Sequence, residues 1–215
     1  PQRRVEYSRD RTLRIRIVDA MNHQSDQEFS LAGQLLIATP GMLDPNFVRT
    51  VSLICEHDPR GALGITINRP SRLTLADVLI EIGIPIKDEV LQEPLTQNQV
   101  LYGGPVHSDR GLILHNGHGS WESSIKISGH LNLTSSRDIL EAIANGNSPD
   151  QFLMVLGYAG WGAGQLEQEV LENAWMQVPA NDQLLFKTKH SDCWSATAAT
   201  LGIDINQMSV QAGHA

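Results

Sequence analysis

Residues 58–61, Asp-Pro-Arg-Gly, constrain this chain more than any other short stretch. Aspartate in the first place, proline in the second and glycine in the fourth suit a type I turn. The apolar run "TVSLICEH" precedes the turn and "ALGITINRP" follows it. Two strand-forming segments joined by so short a turn predict a β-hairpin. The hairpin also sets Cys55 and His57 two places apart on one strand. Alternation along a strand puts such residues on one face, where a thiol and an imidazole could act as nucleophile and base. The apolar neighbours of Cys55 favour a buried cysteine behaving as a small hydrophobe.

Similar punctuation divides the rest of the chain. "LLIATPG" reads as a strand stopped by Pro40 and Gly41, and Asp44-Pro45 as the start of one helical turn. Thr74 and Asp77 have capping-box spacing and predict a helix over 75–82 that ends at Gly83. "QVLYGGPV", "RGLILH", "SIKISGHLNLT" and "QFLMVLGYAG" read as strands, as does "QLLF" after Pro179. Ser135 and Asp138 open another helix. "QLEQEVLENAW" reads as an amphipathic helix through Trp175, and "SDCWSATAATLGI" as a last helix capped by Ser191 or Asp192. Strands and helices do not alternate strictly. The expectation is a single α+β domain with a largely antiparallel, barrel-like sheet and peripheral helices.

Composition enters where it excludes function classes. Cys55 and Cys193 are the two cysteines of the chain, too few for a disulfide scaffold or a cysteine zinc site. They fit reduced thiols in a cytoplasm. No apolar run is long enough to cross a bilayer, so no membrane is expected. The chain totals −8, yet residues 1–16 hold six arginines against Glu6 and Asp10, which leaves about −12 on the remainder. Such a body repels nucleic acid, so direct binding would rest on residues 1–16. Residues 1–30 read as a basic extension outside the domain at 31–215. The extension is an arm for an anionic partner, a transit-like segment, or a mis-assigned start with Met21 as initiator.

The longer motifs then become familiar. "LLIATPGMLDPNFVRTVSLICEHDPRGALGITINRP" resembles the opening signature of the YqgE/AlgH family of bacterial proteins. "YGGPVHSDRGLILH", "TSSRDILEAI", "GYAGWGAGQLEQEVLENAW" and the terminal "AGHA" match later signatures in the same order. The resemblance runs from about Leu31 to Ala215. It implies a compact α+β fold in the bacterial cytoplasm and a transcriptional-regulator label, but no chemistry.

The residues must therefore carry the functional reading. Asp44, Arg49, Asn68, Arg69, Gly103, Gly104, Asp109 and Arg110 lie in the signature loops. They are the candidate ligand-binding set, with the arginines suited to an anionic substrate. Cys55 and His57 are the candidate catalytic pair. His107, His115 and His118 lack metal-ligand spacing, and neither a metal nor a cofactor is expected. The glycine-rich "GYAGWGAGQ" lacks a phosphate-loop pattern and reads as a tight strand-to-helix crossover. No serine elbow or basic recognition helix is present. Three functions follow in order. The first is a non-catalytic protein that binds a partner or small ligand and influences gene expression indirectly. The second is an enzyme acting on an anionic substrate. The third is nucleic-acid binding through the leader. The oligomeric state is left open.

Overall fold

The computed structural model describes residues 30–87, 95, 98–117, 119–205 and 207–208. The basic leader, His118 and the terminal "AGHA" lie outside these residues. Ten strands form one curled, half-barrel sheet. They are β1 Gln34–Ala38, β2 Val51–Asp58, β3 Gly61–Thr66, β4 Pro70–Thr74, β5 Gln99–Tyr102, β6 Val106–His115, β7 Ser124–Ser128, β8 Leu131–Thr134, β9 Phe152–Gly162 and β10 Trp175–Pro179. Among the described residues the α-helices with assigned bounds are α1 Leu75–Glu81, α2 Arg137–Ala144, α3 Gln165–Leu171 and α4 His190–Ala199. The main path of the sheet is β10-β1-β2-β3-β9-β6-β8-β7, with β4 on β5 and β5 parallel to β9. All other pairings are antiparallel. The fold is thus a single mixed α+β domain.

Strand alternation separates the core into an inside and an outside. Leu35 and Ile37 of β1, Leu112 and Leu114 of β6, and Leu153 and Val155 of β9 share the inner cluster with Ile125, Ile127, Leu131 and Leu133. Leu184, Leu185, Cys193, Trp194 and Ala198 close that cluster from the segment after β10. Outside, α1 and α2 cover Ile113, Met154 and Leu156. Leu166 of α3 covers Leu36, Ile54, Ala159 and Trp161. The two outer clusters meet β9 on either side of Gly157, where its neighbours change. Residues 155–156 run beside β5, and residues 159–162 run beside β3. The sheet forks there. A Cβ on Gly103 would run into the Gly157 carbonyl, so the fork admits only glycine at this contact.

The predicted hairpin forms with Asp58 opposite Gly61 and a two-residue loop of Pro59 and Arg60. Asp58 accepts the Arg60 amide at 2.7 Å on one oxygen, and the Arg60 guanidinium at 2.7 Å on the other. The Thr74–Asp77 capping box forms in both directions and starts α1. Three local readings are overturned. The helix predicted through Trp175 stops at Leu171. Asn173 takes φ 57, the Ala174 amide bonds the Glu169 carbonyl, and the Asn173 amide bonds the Val170 carbonyl. That is a Schellman closure, and it frees Trp175 to enter β10. "QLLF" is not a strand but the core of a π-helical turn, Gln183–Lys187, with Asp182 at its cap position; the Asn181 side chain, just ahead of it, accepts the Leu184 amide at 3.0 Å. The last helix begins at His190 with Lys189 at its cap position, ahead of Ser191 and Asp192. "SIKISGHLNLT" resolves into β7 and β8 around Gly129-His130.

Candidate functional site

The residues at 44–49 form one helical turn in which Asp44 accepts the Phe47 and Val48 amides on its carbonyl. Its side chain accepts the Asn46 amide at 2.8 Å and the Asn46 side chain at 3.0 Å. Asn68 accepts the Val51 amide at 2.9 Å and donates to the Arg49 carbonyl at 2.9 Å. Arg69 donates to the Pro45 carbonyl at 2.8 Å and to the Val48 carbonyl at 3.2 Å. The Arg69 carbonyl in turn accepts the Tyr102 amide at 2.7 Å, and the Gly103 carbonyl accepts the Thr66 amide at 2.8 Å. The structure therefore brings Asp44, Arg49, Asn68, Arg69 and Gly103 into one junction. It spends Asn68 and much of Arg69 on backbone groups that would otherwise lack partners.

Arg49 is the exception. It holds a left-handed φ of 55, and its guanidinium lies 5.2 Å from the centre of the Trp194 ring. Trp194 is buried and donates to the Ala38 carbonyl at 2.8 Å. His190, one turn earlier on α4, bonds the Ile67 backbone, beside Asn68. Burial holds the His190 imidazole below its usual pKa, which that bond partly offsets. His190 and Trp194 belong to this junction but escaped sequence reading, because they come from a distant helix. Around it the side chains of Leu43 (88% exposed), Tyr102 (52%) and Val48 (41%) face solvent.

Gly104, Asp109 and Arg110 belong to the fork. β6 opens a wide bulge there, with Val106 opposite Tyr158 and Gly111 opposite Leu156. His107 takes φ 47 in this bulge, and its ring lies 5.9 Å from that of Tyr158. Asp109 is exposed and Arg110 buried, so the two do not present one surface. His115 is fully buried, bonded to the Thr134 hydroxyl at 2.8 Å with the Trp121 ring against it edge-on. Among the described residues no three His, Cys, Asp or Glu side chains group to hold a metal.

Cys55 and His57 do not share a face. The register of β2 on β3 slips between Ile54 and Glu56, which inserts a bulge at Cys55. Cys55 joins Leu53 in the inner core. Its thiol bonds the Leu53 carbonyl at 3.6 Å, and burial, reinforced by the Glu56 charge, pushes its pKa far up. His57 turns outward. It accepts the Leu31 amide on Nδ1 at 2.9 Å, so the proton lies on Nε2, which meets Glu167 at 3.0 Å. A protonated thiol in the core and an imidazole with both nitrogens engaged are not arranged as nucleophile and base. Burial also pushes the Cys193 thiol up, to about 11.

The glycine-rich stretch is mostly strand, since β9 runs through to Gly162. Beyond it α3 fastens the outer face. Glu169 accepts the Trp161 indole at 2.9 Å and the Trp175 indole at 2.8 Å on one oxygen, and Gln165 at 2.9 Å on the other. Phe47 packs on both indoles, with ring centres 6.1 and 5.5 Å away. The 44–49 turn is thus anchored from below by a filled aromatic cluster, while its outer side stays open.

Comparison with known proteins agrees with this architecture. A family model described as DUF179, AlgH-like, matches residues 35–206. A UPF0301 protein of Xanthomonas oryzae pv. oryzae is 48% identical over 185 residues, covering 86% of this chain and 96% of the relative. The solution structure of the AlgH protein from Pseudomonas aeruginosa is similar with a TM-score of 0.68 and 41% identity, covering 90% of this chain and all of that one. A crystal structure from Corynebacterium diphtheriae shares the fold at a TM-score of 0.61 with 19% identity, over 80% of this chain and 88% of that one.

Proposed function

The chain belongs to the AlgH-like family, and from that premise we propose that it works by binding a protein partner rather than by catalysis. The docking face is the surface built on Leu43, Val48, Arg49 and Tyr102. One observation carries the reading. Val48 and Arg49 stand exposed on a turn whose polar backbone groups are tied down by Asn68 and Arg69 and whose Phe47 packs beneath it on Trp161 and Trp175; the exposed Leu43 lies just before the turn and the exposed Tyr102 at the end of β5, whose amide bonds the Arg69 carbonyl. Rigid presentation lowers the entropy cost of docking. Tyrosine and arginine beside aliphatic side chains form the composition that dominates binding energy at interfaces. The first turns of the described helices carry Asp77, Asp138, Glu167 and Asp192, which disfavours phosphate backbones. Any influence on gene expression is then indirect, exerted through the partner. The two buried thiols suit a reducing cytoplasm.

The test is a photo-crosslinking amino acid placed at Leu43 and, as a control, at the exposed Lys126 of β7, in the living host. A discrete adduct at 43 that is absent at 126 and lost with Tyr102→Ala is expected. Identical adducts at both positions, or none at 43, would overturn the reading. Turnover of an anionic metabolite that Arg49→Gln abolishes would favour the enzyme instead.

A further inference from the structure

We propose that the cleft between the solvent side of α4 and the chain that follows it, residues 202–205, binds a small aliphatic amine in its ammonium form. The site stands apart from the docking face proposed above and does not rest on it. α4 buries Cys193, Trp194, Thr197 and Ala198. Asp192, Ser195, Ala196 and Ala199 fall on the opposite side at helical spacing, and the last three are small enough to leave room beside the helix. A Schellman closure then folds the chain back. Gly202 takes φ 73, its amide bonds the Ala199 carbonyl at 2.9 Å, and the Ile203 amide bonds the Ala198 carbonyl at 3.4 Å. Ile205 returns to the inner core, which holds the exposed Asp204 beside the cleft. The cleft so formed holds about 490 Å³, a size common to small-molecule sites.

Its polar groups choose the ligand. Asp192 and Asp204 both line the cleft, and among the described residues no lysine, arginine or histidine does. Lys189, one turn before Asp192, holds the cap position of α4 outside the cleft. Asp192 accepts the Ser191 hydroxyl at 2.8 Å on one oxygen, and Asp204 accepts the Gln207 side chain at 2.6 Å on one oxygen. Neither bond removes the charge. Ser195 donates its proton to the Asp192 carbonyl at 3.0 Å, so its oxygen has only lone pairs left to offer. Ala199 ends α4 at the cleft and brings the negative pole of the helix there, with no basic residue in the last turn. All of these groups call for a donor or a cation, and an ammonium supplies both. The floor of Ala196, Ala199, Ile203 and Ile205 selects an aliphatic body. A hydrated metal ion would leave that floor in water. An anion would meet both carboxylates and the field of the acidic body, which draws cations in instead.

The experiment uses the full chain, isotopically labelled, and follows the Ser195, Ala199 and Gly202 amide signals by NMR. The probes are butylammonium chloride, butanol, sodium butyrate, calcium chloride and acetyl-lysine amide. Butylammonium should shift these signals saturably, butanol should bind more weakly, and butyrate should not bind. Asp192→Asn and Asp204→Asn should each weaken butylammonium by about three- to fivefold, the scale of a partly exposed ion pair, and leave butanol unchanged. Ala199→Leu, at an exposed position, should occupy the cleft and weaken both. Butyrate binding as tightly as butylammonium, an affinity unchanged when both aspartates are replaced, or displacement of the amine by calcium at equal concentration would overturn the inference. So would acetyl-lysine amide binding more tightly than butylammonium, which would give the cleft to the lysine side chain of a protein partner. Absence of any saturable shift with butylammonium would overturn it as well.

Discussion

His57 and His115 are the same residue type with opposite roles for their surroundings. His57 has a backbone donor on one nitrogen and a carboxylate on the other. His115 has a hydroxyl and an indole edge, and burial holds its pKa below the usual 6.5. Thr134 and Trp121 carry no charge to offset a proton there. The neighbouring residue Asn116 bonds Asp182, which is itself paired with His130. A histidine with a depressed folded pKa contributes stability that is complete above its ordinary pKa and is lost as pH falls. Urea unfolding should therefore show stability dropping as pH goes below about 6.5, and His115→Gln should remove part of that slope, the rest belonging to His190, which burial also holds low. A slope unchanged in the variant would exclude His115 as its source. Asp77 and Asp182 are also held low, by Thr74 and by His130 respectively, but they act in the separate window below the ordinary carboxylate value of 3.8.

At the scale of elements, closures decide where a helix stops. The apolar face of "QLEQEVLENAW" continues in helical register to Trp175, and periodicity alone cannot see the end. Asn173 provides it by taking a left-handed conformation, which asparagine tolerates better than most residues. Asn173→Ala should cost about 1 kcal/mol, because alanine keeps the Cβ that crowds this conformation but lacks the short polar side chain that eases it, whereas Asn173→Gly, which removes the Cβ, should be neutral or stabilising. Thermal unfolding of the pair checks this. Equal losses would show that the asparagine side chain, not the backbone shape, holds the turn. The same kind of closure was legible at Thr74 and Asp77, because there both partners of the cap lie within one turn of sequence. It was not legible at "QLLF", where burial of Leu184 and Leu185 against the inner core selects the π-helical turn.

At the scale of the whole molecule, the inner core is shared between the curled sheet and the segment that closes it. Cys55 comes from the sheet and Cys193 from α4, and both lie in that one cluster. With the thiols pushed up by burial, alkylation of the native protein at neutral pH should be slow at both. Across a urea series they should become reactive at one shared midpoint, because exposing either means opening the common core. Earlier labelling of Cys193 alone would show that the closing segment opens by itself. The raised thiol pKa values also make alkali destabilising. Stability is complete below pH 9.0, the ordinary value, and falls as pH rises toward the Cys193 value of about 11.

Sequence by itself determined the elements whose causes are local: the Asp-Pro-Arg-Gly hairpin, the capping box of α1, the 44–48 turn, and the ordered motifs that mark the family. Tertiary structure alone decided the rest. One extra residue at Cys55 turned His57 to the other side of the sheet, a slip that strand alternation cannot foresee because it depends on what β3 places opposite. The fork at Gly157 gathered Gly103 and Gly104 with the β6 bulge, where close backbone approach demands glycine. Arg49 met Trp194 because a helix late in the chain closes over the half-barrel's mouth. Hairpins and caps are fixed by neighbours in sequence, but the surface proposed for binding is made by residues that only the packed core brings together.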